Sequence, residues 1–146
     1  MIMRLEYYNA SPAAYKAWFA VEQYIRGCGL EHGLLHLIKL RASQINGCAF
    51  CVDMHSQEGL KDGDSVRRLF AVSAWRDTSF FSPRERAALA WTEALTQLSQ
   101  QPELDAVYED LKAHFTEKEM VDLTVAISTI NGWNRLSVGF GAQPKD

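Results

Sequence analysis

Apolar residues recur three and four positions apart along most of the chain, which is the period of an amphipathic α-helix. Between Pro12 and Gly27, these apolar residues are Tyr15, Trp18, Phe19, Val21 and Ile25. No alternation of apolar and polar residues, as in a strand, lasts longer than a few positions. The pattern predicts an all-α bundle of about seven helices without a sheet. With 146 residues and 47% hydrophobic content, we expect a single domain over residues 1–146.

Local start signals mark two of the later helices. Ser82 precedes a proline at the first helical position, Pro83, and forms a capping box with Glu85. Thr116 and Glu119 form a second capping box. The helix after Thr116 is apolar on nearly every side, which indicates a central position or a contact between subunits.

Reactive side chains are concentrated in one stretch, where Cys48, Cys51 and His55 form a Cys-x-x-Cys-x-x-x-His array. Asn46 is a preferred N-cap residue, so the sequence predicts a helix from here to about Lys61. Such a helix places the two thiols and the imidazole on one face. Its N-terminal partial positive charge favours thiolate over thiol, and His55 can exchange a proton with Cys51. Two cysteines at this spacing can also close a disulfide with little movement of the backbone.

The same cysteines permit a second interpretation, in which they bind zinc. His32 and His36 lie four residues apart on the preceding predicted helix, and with Cys48 and Cys51 they make a two-His, two-Cys set. The alternative is that His32 is solvated and His36 is a partly buried histidine with an ordinary hydrogen-bond partner. This alternative is favoured because structural zinc cysteines lie in turns around the metal, whereas this pair leads directly into a helix.

Composition narrows the classes of function further. The net charge is −3 and the chain has no basic block, which argues against nucleic acid or an anionic membrane as a partner. The N-terminal residues do not resemble a signal peptide, so we expect a cytoplasmic protein. Three cysteines in a reducing compartment indicate redox or metal chemistry rather than a disulfide framework. No glycine-rich phosphate loop or Gly-x-Ser-x-Gly motif is present.

The runs RASQINGCAFCVDMH, AALAWTEALT and INGWNRL resemble the alkylhydroperoxidase D-like branch of the carboxymuconolactone decarboxylase family. The resemblance implies an all-α fold, assembly into trimers or hexamers, and an antioxidant, thiol-dependent hydroperoxide reductase activity. It also implies that Cys51 is the peroxidatic cysteine, Cys48 the resolving cysteine and His55 the relay histidine. The reductant would be an external dithiol or a lipoylated protein, and neither a cofactor nor a metal takes part.

The chain departs from the family pattern at one position. The family relay also uses a glutamate twelve residues before the first cysteine, and His36 stands there in this chain. A histidine carries protons but cannot remain anionic, so activity through His36 should fall as the pH drops through about 6.5. Glu93, among apolar residues of the helix after Pro83, is another candidate for the missing carboxylate. Its alternative interpretation is an exposed or salt-bridged side chain.

Three functions therefore remain open from the sequence. The first is the hydroperoxide reductase with a redox-active Cys48–Cys51 disulfide. The second is the lyase activity of the wider family, decarboxylation of a muconolactone, which does not depend on a Cys-x-x-Cys pair. The third is a zinc-stabilised helical module without catalysis. Metal content separates the third from the others, and thiol-dependent consumption of peroxide separates the first from the second.

Overall fold

The computed structural model describes residues 2–146, and all regular secondary structure in this range is helical. The α-helices are α1 (Tyr7–Ala10), α2 (Pro12–Arg26), α3 (His32–Ile45), α4 (Ala49–Lys61), α5 (Val66–Ala71), α6 (Pro83–Thr96), α7 (Leu104–His114) and α8 (Glu117–Phe140). Short 3-10 helices cover Val72–Asp77 and Leu98–Gln100. The predicted all-α class is confirmed. The described residues form eight α-helices rather than about seven, because the single turn of α1 is too short for a hydrophobic period to reveal.

Both predicted capping boxes are present. The Ser82 hydroxyl accepts a hydrogen bond from the Glu85 N–H, and the Glu85 carboxylate accepts one from the Ser82 N–H. Thr116 and Glu119 make the same reciprocal pair at the start of α8. Each pair satisfies two donors that a helix N-terminus otherwise leaves free, which explains why these two helices begin where the sequence predicts.

Helix α3 is the central element, because both of its broad faces are buried. One face contributes Leu34, Leu35 and Ile38 to a cluster shared with α2, α6, α7 and α8. The other contributes Leu37 and Leu40 to a cluster with α5, the first 3-10 helix and α6. Helix α4 packs more extensively against α3 than against any other helix. The position of the cysteine helix is therefore set by the most deeply buried helix of the protein.

Helix α8 is apolar over much of its length, as predicted, but its second half also buries polar side chains. Asn131 and Asn134 both accept hydrogen bonds from the Asn46 side-chain amide, each at 2.9 Å. The Asn134 amide in turn donates to the Ser43 hydroxyl at 3.0 Å. These bonds attach the end of α3 to α8 and so fix the short turn that precedes the cysteines.

None of the described helices has the length and apolarity that are needed to span a lipid bilayer.

Candidate redox site

The turn between α3 and α4 differs in one detail from the sequence prediction. Asn46 was expected to cap α4, but it ends α3, and its side chain is bonded to α8. Gly47 then adopts a positive φ of 67°, a conformation that residues with a Cβ rarely adopt. Cys48 is the N-cap of α4, and its sulfur accepts a hydrogen bond from the Cys51 N–H at 3.3 Å. The tertiary contact of Asn46 overrides its capping preference, and a cysteine takes over the cap.

Cys48 and Cys51 are joined in a disulfide, with their Cα atoms 5.3 Å apart. Both are buried, with 1% and 2% of their surface exposed. The pair lies at the N-terminus of α4, where the helix dipole and the free backbone N–H groups stabilise negative charge on sulfur once the bond is reduced. The third cysteine, Cys28, is not part of this pair.

A cavity of about 250 Å³ opens beside Cys51. Half of its lining residues are Phe, Tyr or Trp, and His55 is also part of the wall. The lining residues are Tyr7, Tyr8, Tyr15, Phe19, Glu22, Arg26, Phe50, Cys51, Met54, His55, Trp133 and Ser137. Cys48 is absent from this lining among the described residues. Of the two bonded cysteines, Cys51 is therefore the one at the wall of the cavity.

The imidazole of His55 is buried, with 6% of the residue exposed, and its Nδ1 lies 3.1 Å from Glu58 Oε2. The hydrogen bond from His55 is the main reason why the pKa of Glu58 lies below its usual range, with burial opposing it. An ionised carboxylate only accepts hydrogen bonds, so Nδ1 carries the proton and Nε2 is left to take one up. Sequence reasoning missed Glu58. The only local signal for it was an acidic residue one turn after the histidine.

His36 lies outside the cavity of Cys51, next to the same carboxylate. Its Nε2 is paired with Asp62, and its Nδ1 is 3.7 Å from Glu58 Oε2. It lines a second cavity of about 230 Å³ together with Lys39 and Glu58. The sequence-predicted relay residues His36 and His55 therefore both lie close to Glu58, but only His55 is within hydrogen-bond distance of it.

Glu93 is placed away from the cysteines. Its carboxylate accepts hydrogen bonds from Arg76 at 2.6 Å, from the Trp75 indole at 2.6 Å and from Arg41 at 3.3 Å. Burial opposes its charge, but the bonds from Arg76 and Trp75 outweigh it and hold the pKa of Glu93 below its usual range. Glu93 is not part of the lining described above. Its geometry matches the salt-bridged alternative and not the pocket-wall role.

The four candidate zinc ligands do not converge. His32 Nε2 lies 3.1 Å from the Arg26 carbonyl oxygen, His36 is paired with Asp62, and the two sulfurs are bonded to each other. Within residues 2–146, no three side chains of His, Cys, Asp or Glu are arranged to hold a metal ion.

Comparison with known proteins shows the family of the chain. The sequence profile of the carboxymuconolactone decarboxylase family matches residues 12–94. The chain is also 37% identical over 141 residues to the uncharacterized protein YdfG of Bacillus subtilis, covering 97% of this chain and 96% of that protein. The chain belongs to the carboxymuconolactone decarboxylase family. Cys48, Cys51 and His55 all lie inside the segment that matches the family profile.

Solved structures within the same fold differ in their described roles. A crystal structure from Agrobacterium tumefaciens, of unknown function and proposed as an antioxidant defence protein AhpD, is 47% identical, with a TM-score of 0.94 and 99% coverage of both chains. The debrominase Bmp8 is 18% identical, with a TM-score of 0.85, covering 94% of this chain and 74% of Bmp8. At that identity the second likeness shows the fold alone, so the reaction has to be inferred from the site.

Proposed function

We propose that this protein is a thiol-dependent hydroperoxide reductase, an antioxidant oxidoreductase in which Cys51 attacks the peroxide, Cys48 resolves it and His55 relays protons. One observation supports this function above the others: Cys51 lines a cavity together with His55, while Cys48 lies behind it at disulfide distance. A peroxidatic cysteine has to meet the substrate, and a resolving cysteine has to meet only its partner. The similarity to the Agrobacterium protein proposed as AhpD supports the same choice.

The oxidative half of the cycle uses two groups of the cavity wall. His55 Nε2 takes the proton of the Cys51 thiol, and the helix N-terminus stabilises the resulting thiolate. The thiolate attacks the terminal oxygen of the hydroperoxide, forming an S–O bond as the O–O bond breaks. The released alkoxide takes the proton from His55, which leaves an alcohol and a sulfenic acid on Cys51.

The second half restores the thiols. The thiolate of Cys48 attacks the sulfur of Cys51, the disulfide forms, and the sulfenic oxygen leaves with a proton as water. An external dithiol, free or carried on a lipoylated protein, then reduces the disulfide by two electrons. Because both sulfurs are buried, a reductant has to reach them through the cavity of Cys51 or after a local opening of α4.

Glu58 is proposed as the carboxylate of the relay, in the role that the family pattern assigns to the glutamate at position 36. Its carboxylate is 3.1 Å from His55 Nδ1, whereas His36 lies 3.7 Å from Glu58 and Glu93 is paired with Arg76 outside the cavity lining. The negative charge on Glu58 stabilises the imidazolium that forms when His55 takes the thiol proton. His36 is proposed as the next group along the same path, towards Asp62 and solvent.

The cavity wall also indicates the substrate class. Six of its lining residues are aromatic and one is methionine. Binding of an apolar group in the cavity is therefore favoured over binding of water or hydrogen peroxide. We therefore propose organic hydroperoxides with an alkyl or aryl group as the preferred substrates.

A reductant screen tests this function. Wild type and Cys51→Ser are each supplied with cumene hydroperoxide or hydrogen peroxide, and with dithiothreitol, dihydrolipoamide or glutathione. We expect dithiol-dependent consumption that is faster for cumene hydroperoxide and absent in Cys51→Ser. Wild type that consumes neither peroxide with any dithiol would contradict the function. A muconolactone decarboxylase activity retained in Cys51→Ser would favour the lyase, because that reaction does not need the cysteine pair.

A further inference from the structure

Glu22 of α2 is a buried carboxylate that the catalytic cycle above does not use. Only 5% of the residue is exposed, yet it lines the same cavity as Cys51 and His55. Its Oε1 is 2.5 Å from the Nζ of Lys39 on α3, which is itself buried. Its Oε2 is also buried and has no hydrogen-bond partner among the described residues.

Packing alone gives no reason for this arrangement. A buried ion pair stabilises a fold little better than apolar side chains of the same volume, because both charges lose their hydration. A buried oxygen without a donor carries a further cost, and such groups are rare in folded proteins. Buried charged groups in a cavity beside reactive residues are typical of functional sites.

Asp122 of α8 shows what a purely structural buried carboxylate looks like in the same protein. It is 4% exposed and paired with Lys118 at 2.5 Å, so it resembles Glu22 in its own burial, although the side chain of Lys118 is exposed and that of Lys39 is buried. However, its second oxygen accepts a hydrogen bond from the Tyr24 hydroxyl at 2.7 Å, and it does not line the Cys51 cavity. Two differences separate the carboxylates: Glu22 lines the Cys51 cavity, and one of its oxygens has no hydrogen-bond partner among the described residues.

We propose that Glu22 Oε2 accepts a hydrogen bond from the terminal hydroxyl of the bound hydroperoxide and thereby directs the terminal oxygen towards Cys51. This inference rests on the proposed function. A hydroperoxide has one hydrogen-bond donor, its terminal O–H, and an ionised carboxylate is an acceptor only, so the pair is chemically matched. Lys39 fixes the carboxylate through its other oxygen and balances its charge.

This contact also separates the roles of the two acid–base groups. The hydroxyl hydrogen stays on the terminal oxygen and becomes the hydrogen of the sulfenic acid when the O–O bond breaks. The alkoxide that leaves takes its proton from His55. Glu22 therefore orients the substrate without gaining or losing a proton, and its effect should appear in the peroxide step only.

The experiment measures the two half-reactions separately. Protein reduced with dithiothreitol and then desalted is mixed with cumene hydroperoxide, and the loss of free thiols gives the oxidation rate. Oxidised protein is mixed with dithiothreitol, and the return of thiols gives the reduction rate. The main variant is Glu22→Leu with Lys39→Met, which leaves no unpaired buried charge. The control is Asp122→Leu with Lys118→Met, which removes a second pair with a buried carboxylate outside the cavity.

We expect the Glu22 and Lys39 double variant to be oxidised at least tenfold more slowly and to be reduced within twofold of the wild-type rate. The control should stay within twofold in both reactions. An unchanged oxidation rate in the double variant would overturn the role of Glu22, and so would an equal loss in both half-reactions, because that indicates a structural effect. If the double variant does not fold, the oxidation and reduction rates of Glu22→Gln are measured instead, and the same criteria apply.

Inhibition by a pair of substrate mimics provides a readout that a structural role would not change. Cumyl alcohol keeps a hydroxyl donor, whereas its methyl ether lacks one. Wild type should be inhibited more strongly by the alcohol, and the Glu22 and Lys39 double variant should not distinguish the two. Equal inhibition of wild type by both compounds would count against the contact. If reduced wild type is not oxidised by any hydroperoxide, the proposed function itself fails; if wild type reacts and the double variant matches it, only the role of Glu22 fails.

Discussion

Glu58 Oε2 lies 3.1 Å from His55 Nδ1, so the histidine beside the redox disulfide has a carboxylate partner one turn further along its own helix. The same oxygen is 3.7 Å from His36 Nδ1 on α3. Glu58 is thus close to both histidines, but it is hydrogen-bonded only to the one that lines the cavity.

Replacing Glu58 with glutamine should slow peroxide reduction. Glutamine can still bond to His55 but removes the charge that stabilises the imidazolium, a loss of about 1 to 1.5 kcal/mol. We expect kcat/KM for cumene hydroperoxide to fall about tenfold at neutral pH. Asp53→Asn is the control, because Asp53 lies on the same helix but is bonded to Gln57. An Asp53→Asn variant that loses as much activity would mean that the effect comes from the helix charge in general.

Glu58→Gln should also change how the free energy of unfolding depends on pH. The pKa of Glu58 is lowered in the folded protein, chiefly by its bond to His55, from an ordinary value of 4.5. A carboxyl group whose pKa is lower in the folded protein stabilises the fold at pH values above its pKa in the unfolded chain. This stabilisation is lost as the pH falls through the pKa that the group has in the folded protein. Urea unfolding should therefore show wild type more stable than Glu58→Gln at pH 7, with the difference shrinking as the pH is lowered below 4.5. A difference that grows on acidification would contradict this assignment.

Cys51 should be the first cysteine to be oxidised. The helix dipole alone favours Cys48, which is nearer the N-terminus of α4, but Cys51 lines the cavity and has His55 one turn away. After one equivalent of hydroperoxide, a sulfenic acid probe and mass spectrometry should find an adduct on Cys51 in Cys48→Ser. The reciprocal Cys51→Ser variant should give little or none. A trapped adduct on Cys48 only would reverse the two roles.

A carboxylate at position 36 should not improve the enzyme. From the sequence alone, His36→Glu is expected to raise activity at low pH if position 36 takes part in the relay, but the side chain there faces Asp62 and Glu58. A third carboxylate adds repulsion of about 1 kcal/mol, so Tm should fall by about 2–4 °C relative to His36→Gln. Differential scanning calorimetry and a pH–rate profile of both variants measure this. Higher activity of His36→Glu at pH 5.5 would instead place position 36 directly in the relay.

A side chain at position 132 should lower the stability of the fold. A Cβ there would lie 2.3 Å from Cζ2 of Trp18, whose ring packs edge-on against Trp133 of the cavity wall. Gly132→Ala should cost about 1–3 kcal/mol and lower Tm by about 3–10 °C. Gly139→Ala on the same helix is the control, because no atom lies within 4 Å of its Cβ position. A Gly132→Ala variant as stable as the control would mean that α2 and α8 approach less closely than the structure has them.

The protein should assemble into a homotrimer or homohexamer. Large apolar side chains remain exposed on its surface, among them Phe70 at 81% and Val121 at 62%. Apolar area of this kind favours a symmetric contact between copies, and the family resemblance implies three or six subunits. Light scattering should give three or six times the chain mass of 16.5 kDa. A monomer at micromolar concentration would contradict the prediction.

The sequence by itself determined the helices and the reactive array, because both depend on residues close together in the chain. Ser82 with Glu85 and Thr116 with Glu119 fixed two helix starts through bonds that span three residues. The spacing of Cys48, Cys51 and His55 likewise placed them on one helix.

Tertiary structure decided which of these groups face each other, because that depends on packing between distant segments. The side chain of Asn46 does not cap α4, because it donates hydrogen bonds to two residues of α8 that lie 85 and 88 positions further along the chain. Glu22 of α2 lines the cavity, and Lys39 of α3 balances its charge. Glu93 forms ion pairs with Arg41 and Arg76. Burial of a charge requires a partner of opposite charge nearby, and no local pattern in the sequence reveals which distant residue provides it.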